Sequence, residues 1–390
     1  MSTLPCAASA TSRPPESDRQ PPVLANDFRR QWEDLRTDYL AALDAVGQSG
    51  WYVLGEEVRQ FEKSLASWWG LGYSVGVASG LDAIEIGLRV LGCRAGDRVL
   101  TTPLTAFATT LAILKLRAVP VFVDTDERGL IDLGRCRELL QRRRDIGYFV
   151  PVHLYGHSLD LEALRELRES YGLQIVEDCA QSIGASFDGK PTGSAGDLAA
   201  TSFYPTKNLG AMGDGGALVT NDAGFRAQAV ALRDYGQSSK YRHELVGYNS
   251  RLDELQAAFL RRLSLPRLES WTLRRREIAR LYLDQIRHPQ VKLLGAPEGS
   301  ASSWHLFPVW VKPEKREGFL QHLKAAGIGP GIHYPVTVVD QPALCGVAHE
   351  SGDCSRARYL AATEVSLPIH PYLTDAEVVR VIEAVRSWKG

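Results

Sequence analysis

The chain reads as an α/β protein, a large unit with a mostly parallel central sheet flanked by helices, followed by a smaller C-terminal α+β unit. Three observations predict this. Short β-branched runs alternate with longer amphipathic ones from about residue 74 to residue 220. Strands separated by helical stretches must be joined by crossovers, and that is how parallel sheets are built. A chain of 390 residues also exceeds one small core, and its texture changes again near residue 265, where a second unit is expected to begin.

Taken in order, the first 22 residues are rich in Ser, Ala and Pro and lack the apolar stretch of a secretory signal, so a disordered tail is expected over 1–26, ending near Asn26. Residues 28–46 and 56–69 place apolar side chains at helical spacing, with Gly47 and Gly50 breaking between them. The alternating series then runs SVGVAS, GLDAIEIGLRVLG, DRVLTT, TAFATTLAILKLRA, VPVFVD, LGRCRELLQRRR, GYFVPVHL, DLEALRELRESYG, LQIVED, AATSFY and GGALVT. A charged periodic segment from Leu252 to Leu283, interrupted at Pro266, leads out of the large unit, expected over 27–265. The small unit, 266–390, holds HLFPVWV, the helical GFLQHLKAAG, the loop GIGPGIHYPV and a last helix from Asp375 to Trp388.

Bulk properties exclude several functions. Forty-five Lys plus Arg against 46 Asp plus Glu leave a net charge of −1, which gives no electrostatic case for nucleic acid or an anionic membrane surface. No apolar run approaches the length of a membrane span. The six cysteines form no CxxC pair and have no metal-ligand spacing, so no metal is expected, and reduced thiols in a cytoplasmic protein are the plain reading.

Four segments are chemically unusual and fall where a parallel sheet opens its ligand crevice, at the C-terminal ends of strands. Ser79-Gly80-Leu81-Asp82 turns a strand into a helix, offering free N–H groups to a phosphate. Taken alone, it reads better as a plain turn capped by Ser79 or Asp82. Glu177-Asp178 close an apolar strand, and alternation turns only one of them into the crevice, where an acid can hold a protonated ring nitrogen with Gln181 beside it. A helix cap is the ordinary alternative. Lys207 lies in a small, glycine-rich loop, TSFYPTKNLG, rather than on a charged helix face. Burial would lower its pKa and free the amine to form a Schiff base, whereas an exposed loop lysine would do nothing. The fourth segment is GYNSRLD, residues 247–253, where Asn249 or Ser250 could also simply cap the helix that follows. Together, a phosphate seat, an acid for a ring nitrogen and a lysine for an aldehyde are the requirements of pyridoxal 5′-phosphate (PLP).

On these residues the chain resembles the DegT/DnrJ/EryC1 family of sugar aminotransferases, within the fold-type-I PLP enzymes. The resemblance rests on VASGLDAIEIGLRVLG, GDRVLTTPLTAFATT, VPVHLYG, VEDCAQSIGA, SFYPTKNLGAMGDGGALVT, GYNSRLDELQAA and GIHYPV, in family order from about residue 28 to the C-terminus. It implies that Lys207 bonds the cofactor aldehyde, that Asp178 partners the pyridine nitrogen and that Gln181 packs on the ring. It implies a phosphate cradle of the Gly80 and Leu81 amides and the Ser202 hydroxyl, with Asn249 reaching in from a neighbouring subunit of a homodimer. His333 and Tyr334 fall where the family contacts the nucleotide sugar. Two departures stand out: Leu81 occupies the place of a threonine, and Ala106 that of an aromatic, with Phe107 one residue later. One helical residue is about 100° of rotation, which turns Phe107, the ring-stacking candidate, relative to the family pattern.

The implied reaction transfers an amino group from an amino acid, by family habit glutamate, to a nucleotide-linked keto sugar. KYRHELVGYNSRLDELQAA resembles members acting on 3-keto rather than 4-keto sugars. Cyclitol (inosose) aminotransferases belong to the same family, and so do sugar dehydratases, which carry histidine where Lys207 stands. A non-catalytic regulatory protein could keep the fold, though Lys207, Asp178 and Gln181 are intact. A dinucleotide-dependent oxidoreductase would need GxGxxG after the first strand, which neither SVGVASG nor GAMGDGG supplies.

Overall fold

Seven strands form one twisted layer in the computed structural model, which describes residues 21–390. They are β1 (Tyr73–Val77), β2 (Arg98–Thr101), β3 (Val119–Phe122), β4 (Ile146–Phe149), β5 (Gln174–Asp178), β6 (Leu198–Ser202) and β7 (Gly216–Thr220). They lie in the order 1-7-6-5-4-2-3, and Glu350–Ser351 adds a short parallel edge beyond β3. The neighbours from β3 to β6 are parallel, and β7 alone runs against both strands beside it. The predicted class, a mostly parallel sheet with flanking helices, is the one observed.

Period-two alternation divides the layer's side chains between two cores. Val176, Leu198, Ala200 and Leu218 pack with α3 (Gly80–Val90), α4 (Phe107–Lys115) and α7 (Ala223–Arg233). Ala199, Ala217 and Val219 face the other way, against α2 (Glu56–Trp69) and α8 (Glu254–Phe259). Helix α1 (Phe28–Ser49) runs through Gly47 and stops only at Gly50, whose φ of 64° is the left-handed cap. It packs Leu35, Tyr39, Ala42 and Val46 on Ala258, Phe259 and Leu263.

Pro266 does not interrupt its helix. The chain widens to a π-segment over Leu260–Ser264 and continues as α9 (Leu265–Gln285), accommodating the missing N–H and the ring. Helix α9 crosses the expected boundary: Leu265 and Leu268 belong to the large core, whereas Ile278, Ala279 and Tyr282 belong to the small one. There β8 (Val291–Leu293), β9 (Phe307–Val311) and β10 (Glu364–Leu367) form an antiparallel sheet in chain order, with α10 (Pro313–Ala325) and α12 (Asp375–Ser387) joining its core. Thr374 and Glu377 close α12 with a capping box.

Of the segment expected as a tail, 1–26, only residues 21–26 are described. Residues 1–20 lie outside the described residues, but Val23 is fully buried in the small core and bridges Ile328, exchanging bonds of 2.8 Å with Gly327 and Gly329. An apolar Val with both backbone groups paired outweighs the Pro-rich composition around it. No helix among the described residues is long and apolar enough to cross a membrane.

Candidate active site

The crevice opens where β5 and β6 end. By alternation Glu177 and Asp178 point to opposite faces. Glu177 is fully buried and accepts the N–H groups of Gly193 (2.9 Å), Ala195 (2.7 Å) and Gly196 (2.6 Å), with His153 Nε2 at 2.8 Å. His153 Nδ1 accepts the Leu159 N–H at 3.1 Å, so the proton sits on Nε2 and goes to Glu177. His153, Glu177 and Cys179 cluster closely enough to resemble a metal site. The acid's oxygens are already taken by four donors, and the cluster locks the 193–196 loop instead.

Asp178 takes the crevice side. Its Oδ2 accepts the Thr109 hydroxyl at 2.8 Å and its Oδ1 the Ala180 N–H at 3.0 Å. Burial raises its pKa above the usual carboxylate range, while those two donors and the Lys207 charge act in the other direction. An acid so held gains from a cationic N–H placed against it.

Lys207 lies in a tight loop. Its N–H donates to Tyr204 O at 2.8 Å, Ala211 N–H returns to Phe203 O at 2.8 Å, and a Cβ on Gly210 would stand 2.4 Å from Pro205 O. Among the described residues its Nζ has no hydrogen-bond or ion-pair partner. Desolvation pushes the amine down to about 8, opposed by the charge of Asp178.

The third component is the start of α3. Ser79 Oγ caps the helix by accepting the Asp82 N–H at 3.1 Å, which leaves the N–H groups of Gly80 and Leu81 without an acceptor among the described residues. Ser202, at the end of β6, stands directly against Gly80: a Cβ there would come within 2.6 Å of the Ser202 Cβ. Ser250 holds the turn from the side, donating to Asp82 Oδ2 at 2.7 Å and accepting the Ala78 N–H at 3.1 Å.

Gln181 links the large unit to the small one. Its Oε1 accepts the Tyr155 N–H at 2.6 Å and its Nε2 donates to the Tyr334 hydroxyl at 3.1 Å. Tyr155 Oη in turn donates to His333 O at 2.7 Å, which fixes Tyr155 at both ends in a left-handed conformation, φ 62°. His333 is half-buried, and burial with the Lys207 charge lowers it to about 4, so its ring is neutral.

Phe107 packs on Phe122, Val338 and Leu344. Thr109, two residues on and about 200° around α4, is the side chain that reaches Asp178. Asn249 is exposed and faces Asp234 in a bridge whose bonds are made by its neighbours, Tyr235 N–H to Tyr248 O at 2.7 Å and Ser250 N–H to Arg233 O at 2.9 Å. Sequence reasoning missed Thr109, Tyr155 and the Glu364–Ser366 pair behind His333. Thr109 was within reach, since it follows the altered aromatic position in TAFATT, but nothing local marks the others.

Helix-start amides beside a hydroxyl, a buried acid and, within its field, a lysine whose pKa is lowered to about 8 are a donor set that fits pyridoxal phosphate. The model of the DegT/DnrJ/EryC1/StrS aminotransferase family matches residues 33–386. The chain belongs to this family. As a member of the DegT/DnrJ/EryC1/StrS family it is an enzyme, a PLP-dependent aminotransferase. It is 42% identical over 371 residues, 94% of this chain and 96% of the relative, to dTDP-3-amino-3,4,6-trideoxy-alpha-D-glucose transaminase of Streptomyces venezuelae. It is 43% identical over 348 residues, 89% of this chain and 94% of the relative, to dTDP-3-amino-3,6-dideoxy-alpha-D-galactopyranose transaminase of Aneurinibacillus thermoaerophilus. The crystal structure of S. venezuelae DesV with a ketimine intermediate superposes at a TM-score of 0.90, with 42% identity, covering 95% of this chain and 99% of that one.

Proposed function

We propose that this aminotransferase carries an amino group from glutamate to a nucleotide-linked keto sugar whose ketone is at C3, as a step in making deoxyamino sugars. The observation that carries this reading is the unpaired Lys207 amine, held near neutrality in the field of a buried Asp178. The relatives at 42% and 43% identity, both named as 3-amino sugar transaminases, support the choice of substrate.

Bound at this site, pyridoxal phosphate supplies the electron sink for breaking a Cα–H bond. Lys207 would hold the cofactor aldehyde until the donor's amine displaces it, and its freed amine would then take the proton from the donor Cα and return it two atoms along, acting as base and then acid. Asp178 holds a proton on the ring nitrogen and is itself held by Thr109 and Ala180. Gln181 packs beside the ring. The amides of Gly80 and Leu81, with the Ser202 hydroxyl, hold the phosphate. His333 and Tyr334 meet the sugar from the mouth of the crevice. In this reading residues 27–265 carry the cofactor contacts and residues 266–390 bring the substrate contacts, joined through α9.

The active form is a homodimer in which Asn249 reaches the phosphate of the neighbouring copy, and its exposed side chain supports that. So does an apolar stripe on α1, where Phe28, Trp32, Leu40 and Leu43 face outward beside Trp51 and Tyr52. The five described cysteines are free, four of them buried, which fits a reducing cytoplasm.

The deciding experiment is an absorbance spectrum of the purified holoenzyme, before and after glutamate and then a panel of keto sugars. A visible band that glutamate bleaches and a dTDP-3-keto sugar restores supports the whole reading. Restoration by an inosose alone moves the substrate to the cyclitols. A band unmoved by any donor removes transamination.

A further inference from the structure

Behind His333 lies a chain of hydrogen bonds that the proposed reaction does not use. Glu364, at the start of β10, is fully buried. Its Oε2 accepts the His333 N–H at 2.6 Å, and its Oε1 is bonded to Ser366 Oγ. Ser366 Oγ stands 2.8 Å from His333 Nδ1. The other ring nitrogen, Nε2, has no partner among the described residues, and the ring lies near enough to Lys207 to feel its charge. A serine hydroxyl has one proton to give, so the three groups have only two consistent arrangements. If Glu364 is ionised, Ser366 donates to it and accepts from a protonated Nδ1, leaving Nε2 as an acceptor. If Glu364 carries a proton, it donates to Ser366, Ser366 donates to Nδ1, and Nε2 carries the ring's proton as a donor.

We propose that Glu364 and Ser366 are positioning residues that set, through this relay, whether His333 Nε2 meets the sugar as a hydrogen-bond donor or as an acceptor. The inference rests on the proposed role of His333 as a sugar contact. No net charge moves to the ring in either arrangement, because His333 stays neutral. The change is one proton taken up or released at Nε2, with the two relay protons shifting along their bonds so that Glu364 ends protonated or ionised.

Burial raises Glu364 to about 8, opposed by the Ser366 hydroxyl, the His333 N–H and the charge of Arg316 on α10. Tyr155 and Tyr334 face it from the large unit and the substrate loop, and each is itself pushed up by burial. The donor form of Nε2 is therefore the one present at neutral pH, and a sugar oxygen is its partner. Above pH 8 the relay reverses, and the same oxygen meets a lone pair.

Glu364→Gln imitates the protonated acid, since its amide NH₂ donates to Ser366 while its oxygen still accepts the His333 N–H. Ser366→Ala cuts the relay. The measurement is the pH profile of kcat/KM, run in reverse on the holoenzyme with dTDP-3-amino-3,6-dideoxy-α-D-galactopyranose and 2-oxoglutarate. The wild type should lose sugar kcat/KM progressively above about pH 8, mostly through KM. Glu364→Gln should lack that limb, and Ser366→Ala should raise the sugar KM about tenfold at neutral pH. Lys207 titrates in the same range, so the limb is assigned by its removal in Glu364→Gln and not by its position. The visible absorbance of bound cofactor reports that each variant is folded. If both variants keep the wild-type profile and KM, the relay is wrong. If Glu364→Gln does not fold, an unchanged KM in Ser366→Ala refutes it equally. If the wild type transaminates no sugar while glutamate still bleaches the cofactor, the substrate reading fails first.

Discussion

Lys207 is caught between a dry loop that disfavours its charge and an acid that favours it, and the dry loop wins. A lysine must be neutral to attack an aldehyde, and with its pKa lowered to about 8 the neutral fraction rises tenfold per pH unit below that value. Uptake of pyridoxal phosphate by the apoprotein should therefore accelerate from pH 6 to 8 and level off above, followed by stopped-flow absorbance. Lys207→Ala should show neither that uptake band nor turnover. For Asp178→Asn, turnover should fall by about a hundredfold or more, because the amide cannot hold a proton on the ring nitrogen. Steady-state rates at saturating cofactor would show it. Gly80→Ala forces a Cβ onto Ser202 at the phosphate seat. It should weaken cofactor binding about tenfold in an equilibrium titration while the protein stays folded. These residues were legible because each violates the ordinary use of its type, as a lysine among glycines or two acids closing an apolar strand. Glu364, Ser366 and Tyr155 were not, since an acid opening a strand and a tyrosine in a loop carry no local mark and meet only where the small unit docks on the large one.

At the scale of elements, the strands and most helices follow from periodicity, and the errors have particular causes. Gly47 stays helical because Gly50, three residues on, supplies the left-handed turn. Pro266 is tolerated because a π-segment widens the helix ahead of it. The start of α2 shows what periodicity cannot reveal. It has no side-chain cap of its own, and the buried Glu254 serves instead, accepting the N–H groups of Gly55 (2.7 Å), Glu57 (2.9 Å) and Val58 (2.9 Å) from the start of α8. Glu254→Ala leaves three buried donors without a partner and should lower stability by about 3 kcal/mol, read as a shift in the urea midpoint at unchanged slope. The same carboxylate holds the segment that carries Trp51 and Tyr52, so the loss should also loosen the face proposed for dimer contact.

For the whole molecule, the class and the sheet were readable from the alternation of runs, but the way the units interlock was not. The apolar stripe on α1 bears on assembly. The native protein should sediment at twice the 43.0 kDa chain mass. Leu40→Asp with Leu43→Asp should shift it toward the monomer and cut activity together with dimer content, measured by sedimentation velocity across a dilution series. The strap at Val23 has a different consequence. Val23 pairs with Ile328 and Pro21 O accepts from Arg380, so the earliest described residues complete a core whose other members are among the last. During synthesis roughly three hundred residues must emerge before Val23 finds its partners, and until then its place in the small core stands open. The C-terminal unit therefore closes its core only once α12 has emerged, and a nascent chain stalled before α12 would leave Val23 without its full core and open to a protease.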